Sequence, residues 1–84
     1  MLIKYFAWLK NITKIEEEIV NDPSIVDVNS LKIFLIKKYP KLKEHFKNNE
    51  LIRIAINLSY TYENDGINSN DEIAIFPPVS GGWW

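Results

Sequence analysis

Asp71-Glu72-Ile73-Ala74-Ile75-Phe76-Pro77-Pro78-Val79-Ser80-Gly81-Gly82 is the stretch on which the reading of this chain turns. Ile73 to Phe76 alternates as a short strand, with Ile73 and Ile75 on one face and Ala74 and Phe76 on the other. Proline supplies no ladder N–H, so the strand ends at Pro77-Pro78. Beyond this stiff neck, Gly81-Gly82 is a tip without side chains, slender enough for a channel that any Cβ would block. The segment divides the chain into a globule over residues 1–76 and an extended tail over 77–84, with Trp83-Trp84 after the glycine pair.

Working outward, Leu51 to Asn57 alternates, with Ile52, Ile54 and Ile56 facing in and Arg53, Ala55 and Asn57 facing out. A short strand near Tyr60 and a polar loop link it to the last strand. Upstream, Val28, Leu31, Phe34, Leu35, Tyr39 and Leu42 recur at helical spacing, with Asp27 as N-cap and Pro40 as stop. One helix is predicted over 28–38, and Leu42 and Phe46 anchor a further helical turn. Leu2 to Phe6 reads as a strand with Ile3 and Tyr5 on one face and Lys4 and Phe6 on the other. Ala7 to Lys14 reads as a loop, and Ile15 to Val20 as an edge strand whose Glu16-Glu17-Glu18 run guards against further pairing. Asn21 to Ser24 is turn chemistry.

The order β-β-α-β-β-β predicts an α+β fold, the ubiquitin-like β-grasp: a mixed sheet of four to five strands on one main helix. First and last strands then lie side by side and parallel. That makes Phe6 and Phe76 neighbours on the face away from the helix, where with Tyr60 they form a candidate patch for partner proteins.

Composition narrows the function. Hydrophobic residues make up 46% and charged residues 25%, ordinary for a soluble globule, and the net charge of −1 lacks the basic excess of a nucleic-acid binder. No run reaches the roughly 18 apolar residues of a membrane span, and the start lacks a signal-peptide pattern, so no membrane role and a cytoplasmic location are expected. Without cysteine, and with His45 as the one histidine, no metal site or thiol nucleophile is expected. Any sulfur chemistry draws its thiol from a partner. Lys37, Lys38, Lys41, Lys43 and Lys47 read as a solvated helix end, favourable against the helix dipole.

Several stretches together resemble the small subunit of molybdopterin synthase, a ubiquitin-like sulfur carrier. They are Ile3-Lys4-Tyr5-Phe6-Ala7, Leu31 to Pro40, Ile54-Ala55-Ile56-Asn57 and, above all, Asp71 to Gly82. The resemblance spans the whole length. It implies that Gly82 carries sulfur as a C-terminal thiocarboxylate, after adenylation by a ubiquitin-activating-type adenylyltransferase that uses ATP and Mg. It also implies that Pro77, Pro78, Val79, Ser80 and Gly81 enter the large subunit of the synthase. There the sulfur passes to cyclic pyranopterin monophosphate, and the carrier itself binds no cofactor. The chemistry is consistent: an ionised carboxylate is a poor electrophile, and an extended chain from Pro77 to Gly82 spans roughly 20 Å.

Two departures stand out. Family members commonly place Asp-Gly before the Asp-Glu pair, where this chain has Ser69 and Asn70; asparagine tolerates the left-handed conformation such a turn uses. The other is Trp83-Trp84, which leaves Gly82 with a peptide carbonyl instead of a carboxylate. Either a processing peptidase removes the pair, or it does not belong to the working protein, or the chain has exchanged sulfur transfer for a binding role, the indoles docking on the sheet or in a partner groove. Other roles for this architecture are sulfur delivery for thiamine synthesis or tRNA thiolation, a ubiquitin-like protein modifier, and a binding module.

Overall fold

The computed structural model describes residues 1–47, 52–61 and 63–78. The strands are β1 (Leu2–Tyr5), β2 (Glu17–Ile19), β3 (Arg53–Ile56), β4 (Ser59–Tyr60) and β5 (Glu72–Phe76), and the helices α1 (Leu9–Thr13), α2 (Val28–Lys38) and α3 (Leu42–Lys47). The sheet order is β2-β1-β5-β3-β4. At its centre β1 and β5 run parallel, pairing Leu2 with Glu72 and Tyr5 with Ile75, and β5 pairs antiparallel with β3. The mixed sheet and its single long helix are the expected β-grasp.

Period-2 alternation sorts the side chains. Ile3, Tyr5, Ile73 and Ile75 turn to the helix side and are fully buried with Leu31 and Leu35 of α2, Leu9 of α1 and Leu42 of α3. Each aliphatic side chain so removed from water contributes roughly 1.5–3 kcal/mol. Helix α2 spans the predicted residues because both ends are specified. Asp27 accepts from the Ser30 N–H at 2.8 Å while the Ser30 hydroxyl accepts from the Asp27 N–H at 3.0 Å, a capping box. Asn64 joins this cap, accepting from the Asn29 N–H at 2.8 Å and donating to Asp27 at 3.2 Å. The Ser30 backbone and hydroxyl bonds, aided by Asn64, hold the Asp27 carboxyl below its ordinary pKa. At the other end Tyr39 donates its N–H to Leu35 O at 2.7 Å, and Pro40 separates α2 from α3.

Two local expectations change. Ala7 to Lys14 is not a plain loop: Leu9–Thr13 forms α1, entered through Ala7 at φ 54° and closed by Lys14 at φ 67°. So short a helix shows too few turns for its period to stand out, and it persists because Leu9 and Thr13 are buried. The glutamate run is likewise not uniformly an edge guard. Glu16 and Glu17 are exposed, but pairing of Ile3 with Glu18 turns the Glu18 side chain to the helix side. There its carboxylate accepts from the hydroxyls of Tyr5 and Tyr39, each at 2.6 Å, and pairs with Lys38.

This cluster ties β1, β2 and the end of α2 together. Burial alone would raise the Glu18 pKa, but the bonds from Lys38, Tyr39 and Tyr5 more than offset it and the carboxyl lies below its ordinary 4.5. Burial, then the Glu18 charge, pushes both tyrosine hydroxyls upward. Because the folded-state pKa of Glu18 is depressed, its contribution is complete above the unfolded value near 4.5 and is lost as pH falls through the folded value. Glu18→Ala is expected to cost roughly 1–3 kcal/mol in urea unfolding at neutral pH, by leaving a buried tyrosine hydroxyl unpaired. Its loss of stability on acidification will be shallower than that of the unsubstituted chain.

Candidate functional site

On the face away from the helices, the central strands bring small and large apolar residues into register. Ala74 of β5 lies opposite Ala55 of β3, and Ala55 opposite Tyr60 of β4. The two alanines make a floor, and Phe6, Leu58, Tyr60 and Phe76 stand around it, enclosing a recess of about 240 Å³. Phe6 reaches this corner because its N–H donates to Ile75 O at 3.0 Å, extending the β1–β5 ladder by one step. The three aromatic residues expected to form a patch, Phe6, Tyr60 and Phe76, are thus brought together.

They are not equally available. Tyr60 is 60% exposed and Phe6 half-buried, whereas Phe76 faces outward yet is only 6% exposed, with the Tyr60 ring centre 5.5 Å away. Phe76 is therefore part of the wall more than an anchor to be grasped.

The residue that sequence reasoning missed is Leu58, 88% exposed at the rim of the recess. Ile56 pairs with Ser59, so Asn57 and Leu58 form the two-residue loop of the β3–β4 hairpin, at φ 50° and 71°. Such a primed turn favours asparagine first and glycine second. Asn57 suits its place and is tied to β5: its side-chain oxygen accepts from the Glu72 N–H and its amide donates to Asp71, both at 2.9 Å. Leucine does not suit the second place, since a left-handed non-glycine residue costs roughly 1–2 kcal/mol. A large apolar side chain is thus held strained and exposed beside an apolar recess, which makes this face the candidate site. The signal was legible as an asparagine between two alternating strands, the pattern of a two-residue hairpin.

Polar groups are paired elsewhere on β1 and β5. Lys4 and Glu72 pair at 2.8 Å across β1 and β5, and hydrogen bonding to Glu72 raises the Lys4 pKa. In the turn before β5, Asn68 accepts from the Asp71 N–H at 3.1 Å and donates its own to the Asp71 carboxylate at 2.8 Å. Among the described residues neither Ser69 nor Asn70 has positive φ, so the left-handed tolerance expected of Asn70 goes unused.

Phe76 also leads directly into the tail. Pro77 is buried and Pro78 exposed. Val79, Ser80, Gly81, Gly82, Trp83 and Trp84 lie outside the described residues, as does Leu51. Elsewhere, His45 stacks against Trp8 at 4.8 Å, and Lys38 is engaged with Glu18 while Lys37, Lys41, Lys43 and Lys47 are exposed. Among the described residues no cluster of three histidine, cysteine or acidic side chains is placed to hold a metal ion, and no helix is long and apolar enough to cross a membrane.

A sheet face with an apolar recess, continued by a proline neck toward a glycine pair, has clear parallels. Residues 3–82 match the ThiS family. The chain belongs to that family. It is 38% identical to the molybdopterin synthase sulfur carrier subunit of Dictyostelium discoideum, covering 82% of this chain and 87% of the relative. Against the subunit of the same name from Arabidopsis thaliana, identity is 30% over 92% of this chain and 77% of the relative. Among solved structures, a Pyrococcus furiosus protein described as molybdopterin converting factor subunit 1 superposes with a TM-score of 0.81 at 26% identity, covering 93% and 95% of the two chains. A chain from the Helicobacter pylori complex of molybdopterin-converting factor subunits 1 and 2 gives 0.66 at 27% identity, with 96% of each chain covered. Small archaeal modifier protein 1 of Methanosarcina acetivorans gives 0.76 at 29%, covering 96% and 94%.

The turn strain is directly measurable. Leu58→Gly is expected to raise stability by about 0.5–1 kcal/mol in urea unfolding, the relieved left-handed strain being partly offset by the greater chain entropy of glycine. An unchanged or lower midpoint would show that Leu58 is not strained.

Proposed function

We propose that this ThiS-family chain is the sulfur carrier subunit of a molybdopterin synthase, delivering sulfur from a thiocarboxylate on Gly82 to cyclic pyranopterin monophosphate. The observation that carries the proposal is the coupling of two features on one strand: β5 forms a wall of the outer apolar recess and runs on through Pro77-Pro78 toward Gly81-Gly82. A protein that grips the recess therefore receives the tail at a fixed position. The names of the Dictyostelium and Arabidopsis relatives support the pathway, and the Helicobacter complex supports a large subunit as the partner.

The chemistry starts from a free carboxylate, so the Gly82–Trp83 bond must first be hydrolysed by a peptidase. The Gly82 carboxylate then attacks the α-phosphate of ATP on an adenylyltransferase, releasing pyrophosphate and forming a mixed anhydride. A donor sulfur displaces AMP and leaves the thiocarboxylate. In the synthase, the sulfur bonds to a side-chain carbon of the pterin precursor as an oxygen substituent of that carbon leaves, and water then hydrolyses the resulting thioester, leaving the sulfur on the pterin and returning the Gly82 carboxylate for another cycle. Two transfers complete a dithiolene. The chain itself orients and presents: prolines in the neck reduce the conformational freedom lost when the tail enters a tunnel.

Similarity to the archaeal modifier favours one other reading, in which the same activated Gly82 is passed to lysines of target proteins. Intact mass of the protein from its own cells separates the two. The carrier appears as a species ending at Gly82 in which one oxygen is replaced by sulfur, and the modifier as isopeptide-linked ladders. Material always retaining Trp83-Trp84 would contradict both.

Two variants test the roles assigned to this face and tail. Leu58→Asp, at an exposed position, is expected to weaken large-subunit binding by more than about tenfold in calorimetry, the loss of one anchor of roughly 2 kcal/mol, with the far-UV spectrum unchanged. Phe76→Glu is less informative, because a charge at a buried position will also unfold the sheet. In a chain ending at residue 82, Gly82→Ala should leave folding intact and abolish dithiolene formation; undiminished product would remove Gly82 from the mechanism.

A further inference from the structure

We propose that the partner gripping the outer recess also places a basic side chain in the hollow on the other side of Phe6, where the Glu17 carboxylate receives it. The inference deepens the reading of this face as the large-subunit contact, and it rests on that reading.

The hollow encloses about 250 Å³ and is lined by Lys4, Tyr5, Phe6, Lys10, Glu16 and Glu17. Phe6 also stands on the recess, so the two depressions share a wall. Strand register joins them as well. Glu17 pairs with Lys4 across β2 and β1, Lys4 with Ala74 across β1 and β5, and Ala74 is part of the recess floor. Residues opposite one another in an antiparallel ladder share a face, so Glu17 projects outward with Lys4. Two strand spacings, about 10 Å, separate Glu17 from Ala74. A stable protein contact covers roughly 800 Å² of each partner, so a footprint centred on the recess takes in the hollow. Apolar surface continues beyond it: Ile19, paired with Leu2 at the sheet edge, is 76% exposed.

Charge decides what fits. Lys4 is bound to Glu72 at 2.8 Å, and Lys10 lies 3.8 Å from Glu16. The hydrogen bond and charge of Glu72, then the charge of Glu17, raise the Lys4 pKa. The Glu17 carboxylate nonetheless forms no ion pair of its own among the described residues. Three carboxylates therefore surround two ammonium groups. In the free chain water solvates the surplus charge. Beneath a partner that water is lost, and a carboxylate covered without a counter-charge is strongly unfavourable. A surface that supplies a cation here is accepted, and one that supplies an acid is repelled. Arginine suits the place best, since its planar guanidinium is weakly hydrated and holds a carboxylate through two parallel N–H bonds. The recess then contributes apolar area, and the hollow selects which surface lies on it.

Calorimetric titration with the large subunit, at low and high salt, compares the unsubstituted chain with Glu17→Lys, Glu17→Gln, Leu58→Asp and Glu44→Lys. Glu44 is exposed on α3, across the sheet from the hollow, and its substitution makes the same change in net charge. At low salt the proposal expects Glu17→Lys to weaken binding by at least about tenfold, with the far-UV spectrum unchanged. Glu17→Gln is expected to weaken it less and to flatten the salt dependence, and Glu44→Lys to leave both unchanged. Full affinity in Glu17→Lys while Leu58→Asp binds weakly overturns the role of the hollow and leaves the recess reading standing. Full affinity in both removes the recess reading as well. Equal weakening by Glu17→Lys and Glu44→Lys overturns the proposal in favour of overall charge. Tighter binding by Glu17→Lys overturns it in favour of an acidic partner group.

Discussion

Parallel pairing of β1 with β5 is the constraint from which the rest of this molecule follows. It places the first and last strands of the globule side by side at the centre of the sheet, Ile3 against Ile73 and Tyr5 against Ile75. Parallel neighbours require a crossover connection, and α2 supplies the apolar cover that the helix side of both strands needs. The same pairing sends the outer-face residues Phe6 and Phe76 to one corner, and it is from this corner that Pro77 and Pro78 continue. The start of the tail at Pro77 and the outer recess are therefore products of one register. A shift of one residue would turn Phe76 into the core and Ile75 out of it.

The two faces of the sheet are built on different terms. Beneath it, the described apolar residues are largely buried, and the Glu18 cluster is fully partnered: Glu18 takes both tyrosine hydroxyls and Lys38, so the carboxylate pays for its desolvation with hydrogen bonds. Above it, apolar surface remains open. Tyr60 and Leu58 stay largely exposed, and Leu58 is kept in a backbone region that disfavours leucine. Such an arrangement lowers the stability of the isolated domain.

Position in the sheet also suits so small a protein to serve as a carrier. The group proposed to react, a Gly82 carboxylate, belongs to the backbone, and in the proposed scheme partner proteins carry out its activation and transfer. What the globule provides is a rigid point of attachment, since β5 is hydrogen-bonded on both edges, to β1 and to β3. A partner that recognises the recess knows where the tail begins.

Much of this was legible in the residues. Alternation in Ile52-Arg53-Ile54-Ala55-Ile56 and in Ile73-Ala74-Ile75-Phe76, the Asp27 cap, and the apolar period of Val28 to Leu42 were enough to name the strands and the helix, because each depends on neighbours close in sequence. The end of the last strand at Pro77 was legible for the same reason. Helix α1 was not legible, because its stability comes from burying Leu9 and Thr13 beneath distant elements. Nor was the role of Glu18, indistinguishable from Glu16 and Glu17 until strand pairing chose which of the three faced Tyr5 and Tyr39. The sequence by itself determined the strands and the main helix α2, through local propensity and spacing. Only the tertiary structure decided that Leu58 joins Phe6, Tyr60 and Phe76 around two alanines, since that recess exists through registers between strands far apart in the chain.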